Sequence, residues 1–238
     1  MKISYKILTV CCLVAAAGLA GCKKDLDKTI EENFDFTNKA NVQLFNGIVG
    51  SNRTYLYIDN APVNGATIAF GAAFPGTGYG FAVTGAETAF RVRDTLASST
   101  QVPMSFMQNL QAGKNYTIFL YDTSTAPKQI TVETDLVIPT DTTARLRFAN
   151  LAYSPTALPA VDVYSVKRKE NIFTAVTKAG VTNFIPYASG SNDTLIVRYT
   201  GTTTMVAQLN GINPVKKRSY TVVLRGGYTK AITTFANR

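Results

Sequence analysis

A chain of 238 residues with no histidine, no tryptophan and three cysteines has room for one large or two ordinary domains but lacks the side chain on which most hydrolase mechanisms rest. Histidine titrates near neutrality and is the commonest metal ligand, so its absence excludes a Ser-His-Asp or Cys-His nucleophile system and an ordinary zinc site, leaving a carboxylate pair, a Ser-Lys pair or an oxygen-ligand calcium site. The formal net charge of +9 is uneven: residues 141–238 hold 13 basic and 4 acidic side chains, against 5 and 6 in residues 40–140.

At the start of the chain, Lys2 and Lys6 supply a positive region and Ile7 to Ala20 an apolar run with small residues at its end, the pattern of a signal peptide. That run falls short of the roughly 20 residues a membrane span needs. Leu19-Ala20-Gly21-Cys22 resembles the lipobox of bacterial lipoproteins. The resemblance implies that residues 1–21 are removed, that Cys22 is acylated, typically with palmitate among its chains, and that the membrane is a partner through this lipid. Cys11 and Cys12 leave with the signal, so the mature chain has no disulfide, and losing Lys2 and Lys6 brings its charge to +7. One acyl chain binds only marginally, whereas two or three anchor stably. Residues 22–39 carry 4 basic and 5 acidic side chains and read as a flexible tether that spans about 25 Å. The cluster Lys23-Lys24-Asp25 after the cysteine resembles the export signals of surface lipoproteins in the Bacteroidota, which implies an outer-membrane, surface-exposed location.

From Ala40 onward, short alternating runs rich in Val, Ile, Thr, Tyr and Phe are broken by Gly, Pro, Asn and Asp, the pattern of β-strands. Val42 and Leu44 flank Gln43, Leu56 and Ile58 flank Tyr57, Phe90 and Val92 flank Arg91, and Ile118 and Leu120 flank Phe119. Each run is expected to bury one face. Beyond the signal no run has helical spacing over three turns, so little helix is expected. Gly76-Thr77-Gly78-Tyr79-Gly80 is glycine-rich, but no helix pattern and no lysine follow it, so it reads as an inter-strand loop and not a phosphate cradle.

The second half repeats the first. Ala40–Asn46 matches Ala144–Asn150, Leu56-Tyr57 matches Val163-Tyr164, Phe90–Arg93 matches Leu195–Arg198, and Tyr116–Leu120 matches Tyr220–Leu224. Pro139–Thr143 is then the linker between a first module at 40–138 and a second at 139–238. About seven strands per copy is the arithmetic of an immunoglobulin-like β-sandwich, so the expected fold is all-β, with two tandem sandwiches. An up-and-down barrel is the alternative; strand length argues against a lipid-facing barrel, since too few strands reach the roughly 9–11 residues of a tilted span.

Within the second copy, Ala144–Asn150, then Ser154-Pro155, then Val161-Asp162-Val163-Tyr164 and the late strand Tyr220-Thr221-Val222-Val223 resemble the bacterial family called domain of unknown function 4397. The resemblance covers most of 144–228 and, less closely, 40–122. There the Ser-Pro turn is missing and the second strand reads Tyr55-Leu56-Tyr57-Ile58. It implies a β-sandwich on secreted or anchored envelope proteins and supplies no catalytic residues.

Two constellations are candidates for recognition. Asp162 and Tyr164 alternate with core positions, so both should face outward, where ring and carboxylate can receive a sugar; cross-strand pairing of Asp162 with Arg or Lys is the bland alternative. Lys167-Arg168-Lys169 and Lys216-Lys217-Arg218 are basic turns suited to sulfate or phosphate groups on a polyanion, and equally to solvated hairpin ends. No aromatic residues are interleaved with them, which disfavours nucleic acid. Asp141, Asp162, Glu170 and Asp193 lie in different segments, so no glycosidase pair is specified, and Asn192-Asp193 is too sparse for calcium. The expectation is a non-enzymatic, lipid-anchored envelope protein without metal or cofactor, binding glycans or other polyanions. The alternatives are a structural envelope component holding partner proteins by sheet edges and, more remotely, a glycan-active enzyme.

Overall fold

The β-branched and aromatic runs form seventeen strands, and no helix occurs among the described residues. The structure, a computed structural model, describes residues 37–76 and 78–238, so the expected signal peptide at 1–21, Cys22 and the expected tether as far as residue 36 lie outside the described residues. The first repeat contains β1 (Lys39–Asn46), β2 (Tyr55–Ile58), β3 (Ala61–Pro62), β4 (Ala73–Phe74), β5 (Phe81–Thr84), β6 (Glu87–Arg93), β7 (Met104–Asn109), β8 (Asn115–Thr123) and β9 (Ala126–Glu133). The second contains β10 (Ala144–Asn150), β11 (Val161–Ser165), β12 (Glu170–Val176), β13 (Ile185–Tyr187), β14 (Asp193–Tyr199), β15 (Met205–Ile212), β16 (Ser219–Arg225) and β17 (Ala231–Ala236).

Each repeat is a sandwich of two sheets. In the first, β4-β1-β8-β9, with β5 also on β1, faces β3-β2-β6-β7; in the second, β13-β10-β16-β17 faces β12-β11-β14-β15. Val42, Leu44, Leu56, Phe90, Val92, Ile118 and Leu120 fill the first interior. Leu146, Phe148, Val163, Leu195, Val197, Val222 and Leu224 fill the second at matching positions, joined by Val161. The registers match too: β1 runs parallel to β8 with Val42 opposite Tyr116, and β10 parallel to β16 with Leu146 opposite Tyr220.

One expectation is corrected. The runs of β1, β8, β10 and β16 do not bury a single face: their central residues are buried on both. The reason is a third core, in which Phe45 and Phe119 meet Ala149, Leu151, Val223 and Phe235. The two inner sheets therefore pack back to back, and the described residues form four β-layers within one unit. Phe45 stacks on Phe235 with ring centroids 5.3 Å apart, a geometry that adds about 1 kcal/mol to the area buried.

Two polar contacts across this third core form an exchanged pair. Asn237 Nδ2 donates to Gln43 Oε1 (2.9 Å), and Arg147 Nη2 donates to Thr134 Oγ1 (3.3 Å). Gln43 and Arg147 occupy the same place in β1 and β10, and Thr134 and Asn237 each directly follow the last strand of their sandwich. Thr117 bonds Thr134 as Thr221 bonds Asn237. Residue i of one copy touches j of the other and j touches i, the mark of a two-fold interface.

Candidate functional site

The first basic turn, 166–169, joins β11 to β12 and is shaped from beneath by a buried carboxylate. Asp193 Oδ1 accepts the Lys167 N–H (2.9 Å) and its own neighbour Thr194 N–H (2.7 Å), while Oδ2 accepts the hydroxyls of Ser165 and Tyr187. Ser165 Oγ in turn accepts the Arg168 N–H at 3.0 Å. Burial works against ionising Asp193, yet these donors together hold its carboxyl below the ordinary 3.8. Burial and the bond to Asp193 push the Tyr187 phenol up, keeping it a protonated donor. With their backbone pinned, Lys167, Arg168 and Lys169 all project into solvent.

Lys216, Lys217 and Arg218 sit in the β15–β16 connection, also exposed, with the Lys217 N–H on the Thr143 carbonyl (2.8 Å). Both turns flank one feature, the β13–β14 connection. Lys167 is bonded to Asp193 at its end, and in its middle the Gly190 N–H donates to the Pro214 carbonyl (2.9 Å). The fold thus brings the two triplets to one rim of the second sandwich. Of these six, only Arg168 has an acidic partner among the described residues, Glu170 at 2.6 Å.

Asp162 and Tyr164 are placed differently from the sugar-site expectation. Asp162 does point away from the sandwich interior, but it is only 6 % exposed. Oδ1 accepts Ala175 N–H and Thr200 Oγ1–H, both at 2.8 Å, and Oδ2 accepts Asn171 Nδ2 at 3.2 Å. These bonds fasten an irregular β12, where Ala175 has a φ of +53°, and the β14–β15 turn onto β11. With the Gly201 N–H also on Oδ2 (3.5 Å), four protein donors occupy the carboxylate and leave it nothing to offer a sugar. Nor is the Tyr164 ring free on both faces, because the Arg198 guanidinium lies 4.1 Å from its centroid. Arg93 stacks on Tyr57 at 4.8 Å in the same way in the first sandwich, so this pair is part of the repeated scaffold. The other acids of the second repeat are engaged locally as well: Asp141 accepts the Thr143 N–H and O–H at 2.9 and 2.6 Å.

Sequence reasoning missed a second locus, a cleft of about 340 Å³ between the two sandwiches. Arg145 and Arg147 of β10 line it, with Phe184 and Thr182 on one side and Glu133 and Asp135 on the other. Arg147 is 2 % exposed, donates Nε to Thr221 Oγ1 (2.8 Å) and Nη2 to Thr117 Oγ1 (2.8 Å), and lies 4.7 Å from the centroid of Phe184. Burial pulls its pKa down to about 9, so it remains charged at neutral pH. Among the described residues no carboxylate comes within ion-pair distance of Arg145 or Arg147. The available signal was an arginine between Leu146 and Phe148, at the position matching Gln43.

Compared with known protein families, residues 40–164 match the family described as Domain of unknown function (DUF4397). The matched stretch takes in all of the first sandwich and ends in β11, whereas the residues quoted for the resemblance were densest in the second copy. Curated proteins give no match.

Proposed function

The chain belongs to the DUF4397 family, a membership that carries fold and not activity, and from this premise we propose that it is a non-enzymatic, lipid-anchored envelope protein that binds polyanions through the basic rim of its second sandwich. The observation that carries this reading is the convergence of Lys167, Arg168 and Lys169 with Lys216, Lys217 and Arg218 around the β13–β14 connection, five of the six without an acidic partner among the described residues. Point cations on two pinned turns suit flexible sulfated or phosphorylated glycans, whose charges are spaced along a chain and need no deep pocket. Lipid on Cys22 and the tether behind it hold this rim outside the membrane surface.

The test is a glycan and polyanion array with the full chain in detergent, repeated with all six rim residues changed to Gln. Binding to heparin-like chains should weaken about tenfold or more as salt rises from about 50 to about 200 mM, and the six-fold variant should lose it. Binding that ignores salt, or that survives the six changes, sinks the reading. A second reading, a structural component that docks proteins on its sheet edges, is favoured by the exposed Met107 (52 %) on edge strand β7 and Met205 (58 %) on edge strand β15. An array silent for both forms, with crosslinks to envelope proteins mapping to β7 or β15, would support that reading instead.

A further inference from the structure

The two-fold relation between the sandwiches makes an internal control for the cleft. Arg145 and Arg147 on β10 correspond to Asn41 and Gln43 on β1, so the cleft has a twin around those amides. There Gln43 Nε2 donates to the carbonyls of Pro75 (3.0 Å) and Ala236 (2.9 Å), Asn237 closes on its oxygen, and a cavity of only about 10 Å³ is left. A neutral, fully bonded amide is therefore enough to complete this interface. On the other side the chain has two guanidinium groups and an open cleft of about 340 Å³. Burying a cation without a counter-ion is costly, and packing does not require it here.

We propose that this cleft binds a small organic carboxylate, its oxygens held by Arg145 and Arg147 and its hydrocarbon part lying against Phe184. Side chains two apart on a strand share a face and stand about 7 Å apart, a spacing from which two guanidinium groups converge on one carboxylate. Arg145 Nε is buried and has no partner in the protein, so a donor is already desolvated and waiting. A cleft of this volume lies within the range of small-molecule sites. Asp135 and Glu133 limit the charge it accepts. Glu133 is tied to Lys114 at 2.7 Å, but Asp135 has no ion pair among the described residues and stands against the mouth. With Glu133 neutralised by Lys114, the two guanidinium groups and Asp135 leave one net positive charge, which a monoanion balances and a phosphate dianion or a polyanion exceeds. The site is thus distinct from the basic rim and does not depend on the rim being a receptor.

The experiment is calorimetric titration of the full chain in detergent with a panel of monocarboxylates (acetate, benzoate, phenylacetate), with benzamide as the neutral analogue and inorganic phosphate as the competing anion. At least one carboxylate should bind one to one, benzamide should not, and phosphate should bind less tightly. R145Q should weaken the carboxylate about tenfold, D135N should tighten it and narrow the gap to phosphate, and the six-fold rim variant should bind it like the parent. R147Q should abolish binding yet fold, since Gln43 already fills the twin position, and its melting temperature reports that directly. A silent panel, equal binding of benzamide, or carboxylate affinity unchanged in R145Q overturns the proposal.

Discussion

Asp193 and Asp162 are two carboxylates that use every lone pair to organise backbone. For Asp193, burial favours the neutral acid, but the Ser165 and Tyr187 hydroxyls and the Lys167 and Thr194 amides favour the anion more, so its folded pKa lies below the unfolded 3.8. A depressed carboxylate stabilises the fold above the unfolded pKa and ceases to do so as pH falls through the folded value. Asp193→Asn should therefore cost about 2–3 kcal/mol at pH 7, and the deficit should shrink below about pH 4 as the parent loses its own anion. Denaturant unfolding at pH 7 and pH 3 checks this, and a deficit independent of pH would refute the assignment. Alternation along Val161-Asp162-Val163-Tyr164 sets Asp162 apart from the core positions Val161 and Val163, yet the side chain is buried. What alternation could not supply was the cover, because Thr200 and Ala175 arrive from segments 38 and 13 residues away. The first sandwich shows what the aspartate does. Tyr55 stands at its place, and the strand after β2 shrinks to Ala61–Pro62, with Asn64 instead bonding the Leu56 N–H at 2.8 Å.

Among the elements, the two basic turns each carry a residue with strained backbone, as β8 and β12 do at Asp122 and Ala175. Lys169 and Lys217 both have positive φ, +58° and +62°, in the two basic turns, a conformation that glycine adopts without its Cβ penalty. Lys169→Gly should raise stability by up to about 1 kcal/mol while removing one rim charge, and thermal melting beside heparin affinity separates the two effects. An unchanged or lower melting temperature would mean that the lysine side chain contributes more than its backbone costs. The strands themselves were legible because their apolar residues recur every second position, and the repeat was legible because four blocks keep their order. The number of buried faces was misread. Tyr116-Thr117-Ile118-Phe119-Leu120 is nearly continuous in apolar character, as strands covered on both sides are, whereas β7 alternates cleanly between half-buried and exposed. Thr117, Gln43 and Thr221 disguised the second face, since a polar residue in an interface looks like one in water until its partner is known.

Taken whole, the described residues are held by three cores, and the middle one joins what the sequence presents as separate units. Asp122 adds a tie at its edge, accepting Lys128 (2.9 Å) from its own sandwich and Lys178 (3.3 Å) from the other. Burial raises the pKa of Asp122, and the two lysines together more than reverse it. With Phe45, Phe119 and Phe235 at the centre, the two sandwiches should unfold in a single calorimetric transition. Phe235→Ala should cost about 3 kcal/mol and is the change expected to split that transition in two. Two transitions in the parent protein would show the middle core to be the weaker bond. Neither the aromatic stack nor the Arg147 cleft was legible beforehand, because both depend on how two repeats meet and each repeat records only its own half.

The exchanged contacts across the middle core also bear on how the protein assembles. Two identical sandwiches with this inner face would have to find each other by diffusion, and the fraction paired would depend on how many copies the cell made. Residues 134–143 link the two halves, and a tether of about ten residues keeps them at an effective concentration in the millimolar range. Pairing is then independent of expression level. The same linkage lets the halves diverge, so that one side of a once-symmetric contact keeps Gln43 and stays closed while the other has Arg147 and stays open, a difference that a dimer of one sequence could not encode.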